Sequence, residues 1–259
     1  MRVTFLDTPI DVLSTEETVQ CAIDSMRHGK RIRHVAINVA KLVKMQSDPA
    51  LRADVINSDI IGIDGAGIVI GARLQGIPVP ERVAGIDLME EVLKECSKQG
   101  FRPYFLGATE EIVQRAASVA RNRYSGLSFA GVRNGYFTTS EERDIVEEIN
   151  RSGADCLFIG MPTPRKENFL AAHAPHLNVP FLMGVGGSFD VLAGKVSRAP
   201  APMQKLGLEW MHRLLQEPRR MFWRYASTNY AFAILLSRAM FANFAKSTKL
   251  ALSSLVRGH

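Results

Sequence analysis

The feature that most constrains this chain is an alternation. Short, mostly apolar runs are each followed by a longer segment with helical periodicity. The short runs are "RHVAI" (33–37), "DIIGI" (59–63), "RPYFLG" (102–107), "LSFAG" (127–131), "DCLFIG" (155–160) and "VPFLMG" (179–184). Between and after them lie "VAKLVKMQ", "AGIVIGARLQG", "GIDLMEEVLKECSKQG", "TEEIVQRAASVARNRY", "SEERDIVEEINRSG" and "PRKENFLAAHA". Runs apolar on both sides belong to strands covered on both faces, and strand–helix alternation is the mark of a parallel sheet. The expected fold class is α/β, a mostly parallel sheet with helices on both faces. A further short strand is expected at 3–6. "STEE" (14–17) reads as a capping box opening a helix that runs to about His28.

In such a sheet, ligands bind beyond the carboxyl ends of the strands. The residues found there are Asn38, then Asp64-Gly65-Ala66-Gly67, Gly107, Gly135-Tyr136, "GMPTPRKE" (160–167) and "GVGGSFD" (184–190). Glycine at these ends lets a ligand approach the backbone and meet N–H groups at helix starts. Asp64 reads either as a general base at the floor of a cleft or as a cap for the helix beginning near Gly65. "GIDGAG" lacks the spacing of a dinucleotide fingerprint, so no nicotinamide cofactor is expected. In "GMPTPRKE" two prolines fix a loop ahead of Arg165, Lys166 and Glu167, either to grip a nucleotide or as a rigid connection. Asp190 either accepts hydrogen bonds from a ribose or uracil, or sits in the first turn of a short helix and favours its dipole.

Charge divides the chain. The whole carries +6. From Lys195 onward eleven basic residues stand against two acids, Glu209 and Glu217, so the rest of the chain is net negative. A core over 1–195 and a helical, basic and aromatic appendage over 196–259 are expected. Local positive charge of this size suits a phosphate-bearing partner or an anionic membrane surface. Arg213, Arg220 and Arg224 would share a face of an unbroken helix, although Pro218 bends or restarts it. Three guanidinium forks suit a diphosphate. Trp210, Met211, Phe222, Trp223, Tyr225 and the apolar pattern after them suit a helix lying on a membrane surface. The alternative is a helix pair packed on the core. No nucleic-acid motif is present, and nucleic acid is not an expected partner.

Cys21, Cys96 and Cys156 are widely separated, and the six histidines form no HxxH or HExxH pattern. Neither a disulfide framework nor a metal site is expected, and a reducing cytoplasm fits. No signal peptide or membrane-spanning run is read.

Taken together, "IGIDGAGIV", "RVAGIDL", "GYF", "GMPTPRKE", "GVGGSFDVLAGKVSRAP" and "KLGLEWMHRLLQEPRRMFWRY" resemble the WecG/TagA/CpsF family of bacterial glycosyltransferases (glycosyltransferase family 26), in the family's order and over about residues 33–225. The resemblance implies a Rossmann-like core, a membrane-associating appendage and an inverting, metal-independent transfer without a cofactor. The donor would be a UDP-sugar. The acceptor would be a polyprenyl-diphosphate-linked sugar at the inner face of the cytoplasmic membrane, in polysaccharide biosynthesis. A homo-oligomer is compatible with it.

On this resemblance Asp64 is the catalytic base, Asn38 a cleft residue, and Arg82 the stabiliser of the leaving diphosphate. Gly107, Tyr136, Pro164, Lys166, Glu167, Gly186, Asp190 and Arg198 line the substrate site. Arg213, Arg220 and Arg224 reach the acceptor diphosphate. Two positions depart from the family pattern: Ala36 stands where Thr is common, and Lys166 replaces a Gln. Both bear on the donor, which the resemblance leaves among N-acetylmannosamine-type sugars, glucose and hexuronic acids, with Lys166 suiting an acidic one. The alternative is a UDP-sugar-binding protein that has lost transfer.

Overall fold

The computed structural model describes residues 1–257, apart from the side chains of Lys205, Arg220, Arg224 and residues 242–257. The chain opens with a hairpin of β1 (Arg2–Phe5) and β2 (Thr8–Asp11), paired antiparallel. Its tight turn places Leu6 and Asp7 both at positive φ, 46° and 56°, the handedness a two-residue hairpin loop demands. The expected strand at 3–6 is thus half of a separate two-stranded unit, not a member of the parallel sheet. Asp11 ties this unit down: it pairs with Arg2 at 2.8 Å and accepts the Ile61 amide at 2.7 Å.

The core then alternates as the sequence indicates: α1 (Thr15–His28), β3 (Ile32–Ile37), α2 (Val39–Met45), α3 (Pro49–Ile56), β4 (Ile60–Ile63), α4 (Ala66–Leu74), α5 (Gly85–Gln99), β5 (Pro103–Gly107), α6 (Glu110–Arg123), β6 (Gly131–Arg133), α7 (Glu142–Ser152), β7 (Cys156–Gly160), α8 (Arg165–His173), β8 (Phe181–Gly184) and α9 (Ser188–Leu192). The Ser14–Glu17 capping box is formed, and Gly29, Gly100 and Gly153 end α1, α5 and α7 in the left-handed conformation. β6 begins where "LSFAG" ends. A Cβ on Gly131 would come within 2.2 Å of the Tyr104 ring on the neighbouring strand, so the edge strand needs glycine there, while the Ala130 amide just before it already donates to Pro103 O.

Six strands form one parallel sheet in the order β4-β3-β8-β7-β5-β6. Successive strand residues feed opposite layers. Phe105, Phe158 and Met183 pack with α1, α5, α6 and α9, whereas Tyr104, Leu106, Leu157 and Ile159 pack with α7 and α8. A third cluster joins the hairpin, β3, β4, α2, α3 and α4. Both faces are covered, as a parallel sheet requires.

Three helices follow: α10 (Ala201–Lys205), α11 (Glu209–Gln216) and α12 (Pro218–Arg257). Glu217, at φ −133° and ψ 62°, breaks the path between the last two. Arg213 therefore lies on a different helix from residues 220 and 224. α12 returns to the core, where Phe232 is buried against Phe5, with Leu235 and Leu236 beside it. Gly71 of α4 leaves room for the Phe232 and Phe5 rings, and Gly67 for Val39. Among the described residues no helix is long and apolar enough to cross a membrane.

Candidate active site

Strand order fixes where a cleft opens. After β5 the chain moves outward to β6, and after β7 it moves the other way to β8, so the carboxyl ends of β5 and β7 border a topological switch point. Three backbones converge there. Gly107 sits at φ 144°, and a Cβ on it would lie 2.5 Å from the Gly160 backbone. A Cβ on Gly135 would lie 2.9 Å from the Gly107 Cα. Only glycine fits either approach. Tyr136 projects from this edge, 74% exposed, its amide donating to Asn134 Oδ1. Across the edge lies the β8–α9 turn, with Gly186 at φ 55°. Asp190 stands in the first turn of α9, with Lys195 Nζ 3.5 Å from its carboxylate.

Asp64 occupies the end of β4. Its amide and that of Gly65 donate to Ile37 O at 3.0 and 3.3 Å, binding the ends of β3 and β4 together. α4 takes Gly65 as its N-cap with no side-chain capping bond, so Asp64 does not cap that helix. The half-buried carboxylate instead takes a hydrogen bond from the Gly85 amide, at the start of α5. Burial pushes its pKa above the ordinary carboxylate value. Arg82 opposes this, Glu209 reinforces it, and Gly85 N–H and Lys41 oppose it more weakly. A carboxylate held high in this way is suited to accept a proton. Asn38 is its neighbour, since a Cβ on Gly65 would lie 3.0 Å from Asn38 Cα. The Asn38 side chain caps α2 by accepting the Lys41 amide.

The C-terminal helices close over this corner. Gly207, before α11, packs so tightly on Ala66 that a Cβ there would come within 2.6 Å of the Ala66 Cβ. Glu209 Oε2 stands 2.7 Å from Arg82 Nη1. Arg198 pairs with Asp87 of α5 through both Nη1 and Nη2 at 2.6 Å, and Nη2 also stands 3.7 Å from Glu209. Arg82, Glu209, Arg198 and Asp87 thus form a charge ladder from core to appendage, beside Asp64. Arg213 lies against the β8–α9 turn, its Nη2 3.8 Å from where a Gly187 Cβ would be. The side chains of Arg220 and Arg224 lie outside the described residues.

A second charge cluster sits at the ends of β3, β7 and β8. Glu167 Oε1 is 2.8 Å from both Lys41 Nζ and Lys166 Nζ, and all three side chains are at most 8% exposed. Burial alone would raise the Glu167 pKa, but Lys41 and then Lys166 outweigh it and hold it at about 2. Lys166 also donates to Thr163 and lies along Gly184. Pro164 is the N-cap residue of α8, after a cis Thr163–Pro164 bond. Lys166 and Glu167 are therefore packed side chains at the cleft edge, not residues standing in solvent.

The structure brings Asn38, Asp64 and Arg82 into one corner with Arg198. Gly107, Tyr136, Gly186 and Asp190 line the adjoining edge. Sequence reasoning passed over Glu209, Asp87 and Lys41. Nothing local marks the first two, whose partners are more than a hundred positions away. Lys41, four residues past the end of β3, carried a faint signal as a charged residue where the helix turns inward. Among the described residues no group of three or more His, Cys, Asp or Glu side chains is placed to hold a metal ion.

Comparison with known proteins places similarity at both the family and the single-protein level. The family model "Glycosyl transferase WecG/TagA/CpsF family" matches residues 3–246. A protein of Bacillus spizizenii (strain W23), named N-acetylglucosaminyldiphosphoundecaprenol N-acetyl-beta-D-mannosaminyltransferase, is 31% identical over 188 residues, covering 73% of this chain and 72% of that one.

Proposed function

The chain belongs to the WecG/TagA/CpsF family of glycosyl transferases, and from this premise we propose that it transfers a sugar from a UDP-sugar to a polyprenyl-diphosphate-linked sugar with inversion at the anomeric carbon. One observation carries the reading. Asp64 lies at the end of β4 under the appendage, half-buried, with its pKa raised by its surroundings. It takes the proton of the acceptor hydroxyl as that oxygen bonds to the anomeric carbon. The bond from that carbon to the diphosphate oxygen breaks, and UDP leaves with the electron pair. Negative charge grows on the diphosphate in this step. Arg82 and Arg213 provide positive charge around the corner, the role a metal ion fills elsewhere. Transfer is metal-independent and needs no cofactor.

The glycine-lined edge of β5 and β7, with Tyr136 and Asp190, receives the nucleotide. The acceptor's diphosphate approaches from the appendage side, met by Arg198 and Arg213. The outward face of α12 lies on the cytoplasmic membrane, on its inner surface where such acceptors are assembled. The relative's name points first to an N-acetylmannosaminyl donor and an N-acetylglucosaminyl-diphosphate acceptor, with UDP-glucose and a UDP-hexuronic acid as further candidates. The test is UDP release with each donor and a polyprenyl-diphosphate-linked N-acetylglucosamine, in EDTA, with the product's anomeric configuration read by NMR. Release with one donor and an inverted linkage is expected. Strict metal dependence, retention, or no turnover with any lipid acceptor overturns the proposal.

A further inference from the structure

We propose that Lys41 is a positioning residue of the transfer site: it fastens the cleft ends of β3 and α8 together and places its charge where Asp64 works. The inference rests on the reading of Asp64 as the base.

A lysine is almost never fully buried unless its ammonium is satisfied. Lys41 is 7% exposed. Its Nζ donates to Ala36 O at 2.7 Å and meets Glu167 Oε1 at 2.8 Å. Ala36 is the penultimate residue of β3 and pairs with Gly62 of β4. The following carbonyl, Ile37 O, accepts the amides of Asp64 and Gly65. A continuous path therefore runs from α8 through Glu167 and Lys41 to the end of β3, and from there to Asp64. Lys41 enters this path twice, because its own amide is the donor that Asn38 caps. If Lys41 were lost, the β3 end would keep its sheet partners but lose its tie to α8.

The surrounding charges fit this role. Asp64 faces Arg82 from the segment before α5, the Gly85 N–H from α5, Glu209 from α11 and Lys41 from α2. Asp87 adds negative charge near Arg82. Lys41 in turn faces Glu167 and Lys166 of α8, and its charge is felt by buried His34. Two ammonium groups share one carboxylate, Glu167 Oε1. Removing Lys41 leaves Glu167 still paired with Lys166, and the fold should tolerate that better than loss of Glu167, the carboxylate both lysines share.

The experiment compares wild type with Lys41→Met, Lys41→Gln and Lys41→Arg, in full-length protein, reading kcat and KM against pH with UDP-sugar and lipid acceptor. Lys41 favours the ionised form of Asp64. Without its charge the base protonates at higher pH, so the acid limb of kcat moves to higher pH in both Met and Gln variants. Gln keeps an uncharged donor on a side chain one atom shorter than lysine's, so its kcat at the plateau should fall less than that of Met, which falls roughly tenfold or more as alignment is lost. Donor KM stays within about threefold, and Arg restores the wild-type limb. A purely structural lysine would lower melting temperature and leave the limb in place. Limbs coincident with wild type in both neutral variants overturn the inference while leaving Asp64's role intact. Asp64→Asn, run alongside, separates the two, because full activity there removes the base itself.

Discussion

Arg82 Nη1 and Glu209 Oε2 stand 2.7 Å apart, joining the segment before α5 to a helix 127 residues later in the chain. Both side chains are largely withdrawn from water, at 18% and 26% exposure, so removing one partner leaves the other charge partly buried and costs stability as well. The pair's importance lies in what each charge does to Asp64. Glu209 raises the Asp64 pKa and Arg82 lowers it. In Glu209→Gln the acid limb of kcat should therefore move to lower pH, a shift read separately from any fall in melting temperature. A limb that stays fixed or moves upward would mean that Glu209 does not act on the base.

Two buried groups should set the acid stability. His34 has no hydrogen-bond partner on either ring nitrogen among the described residues, and burial, then Lys41, lower its pKa from 6.5 to about 4. Below pH 6.5 the unfolded chain takes up this proton and the folded one does not, so stability falls from pH 6.5 toward 4. Glu167 acts lower down. Its folded value of about 2 lies below 4.5, so its contribution is complete above 4.5 and is lost as pH falls toward 2. Urea denaturation from pH 7 to 3 should show His34→Leu with a flatter slope between 6.5 and 4 than wild type. Identical slopes would contradict the assignment.

Gly107→Ala tests the glycine edge. The substitution places a Cβ 2.5 Å from the Gly160 backbone at φ 144°. Neither strand end can move without breaking its pairing with the other. A loss of roughly 2–4 kcal/mol is expected from strain and overpacking together, accompanied by weaker UDP binding. Both are read by chemical denaturation and calorimetry.

Membrane attachment is tested on the outer face of α12. Trp223, Tyr230 and Phe241 are each more than 70% exposed and recur at spacings of one helix face, turned away from buried Phe232. Replacing all three by Ser should weaken binding to anionic liposomes at least about tenfold, as expected when several large apolar groups are withheld from the bilayer. The fold should survive, since none of the three is in the core. Unchanged flotation with liposomes would place the membrane contact elsewhere.

The sheet and most of its helices were legible because their signals are local: the Ser14–Glu17 capping box, glycines past helix ends, and strands apolar on both sides. The helix Pro49–Ile56 was missed: the Asp48-Pro49 pair marks its start, but its body is short and weakly patterned. The hairpin was hidden because its turn is Leu6-Asp7 instead of a glycine pair. At the site, Asp64 was marked by its position after a strand, and the structure removed the capping alternative by giving α4 a Gly65 cap. Glu209 and Asp87 were illegible for a physical reason. An ion pair closed between distant segments leaves no periodicity in either one. Lys166 read as a cation open to the donor, and it is instead folded onto Glu167.

The central claim, that Asp64 is the base, is tested most directly by Asp64→Asn, with kcat and UDP affinity measured on the same preparation. Loss of a positioned general base should lower turnover by about a hundredfold or more while UDP binds within about threefold of wild type. Turnover within about fivefold of wild type, in a variant that still folds and binds UDP, would contradict it.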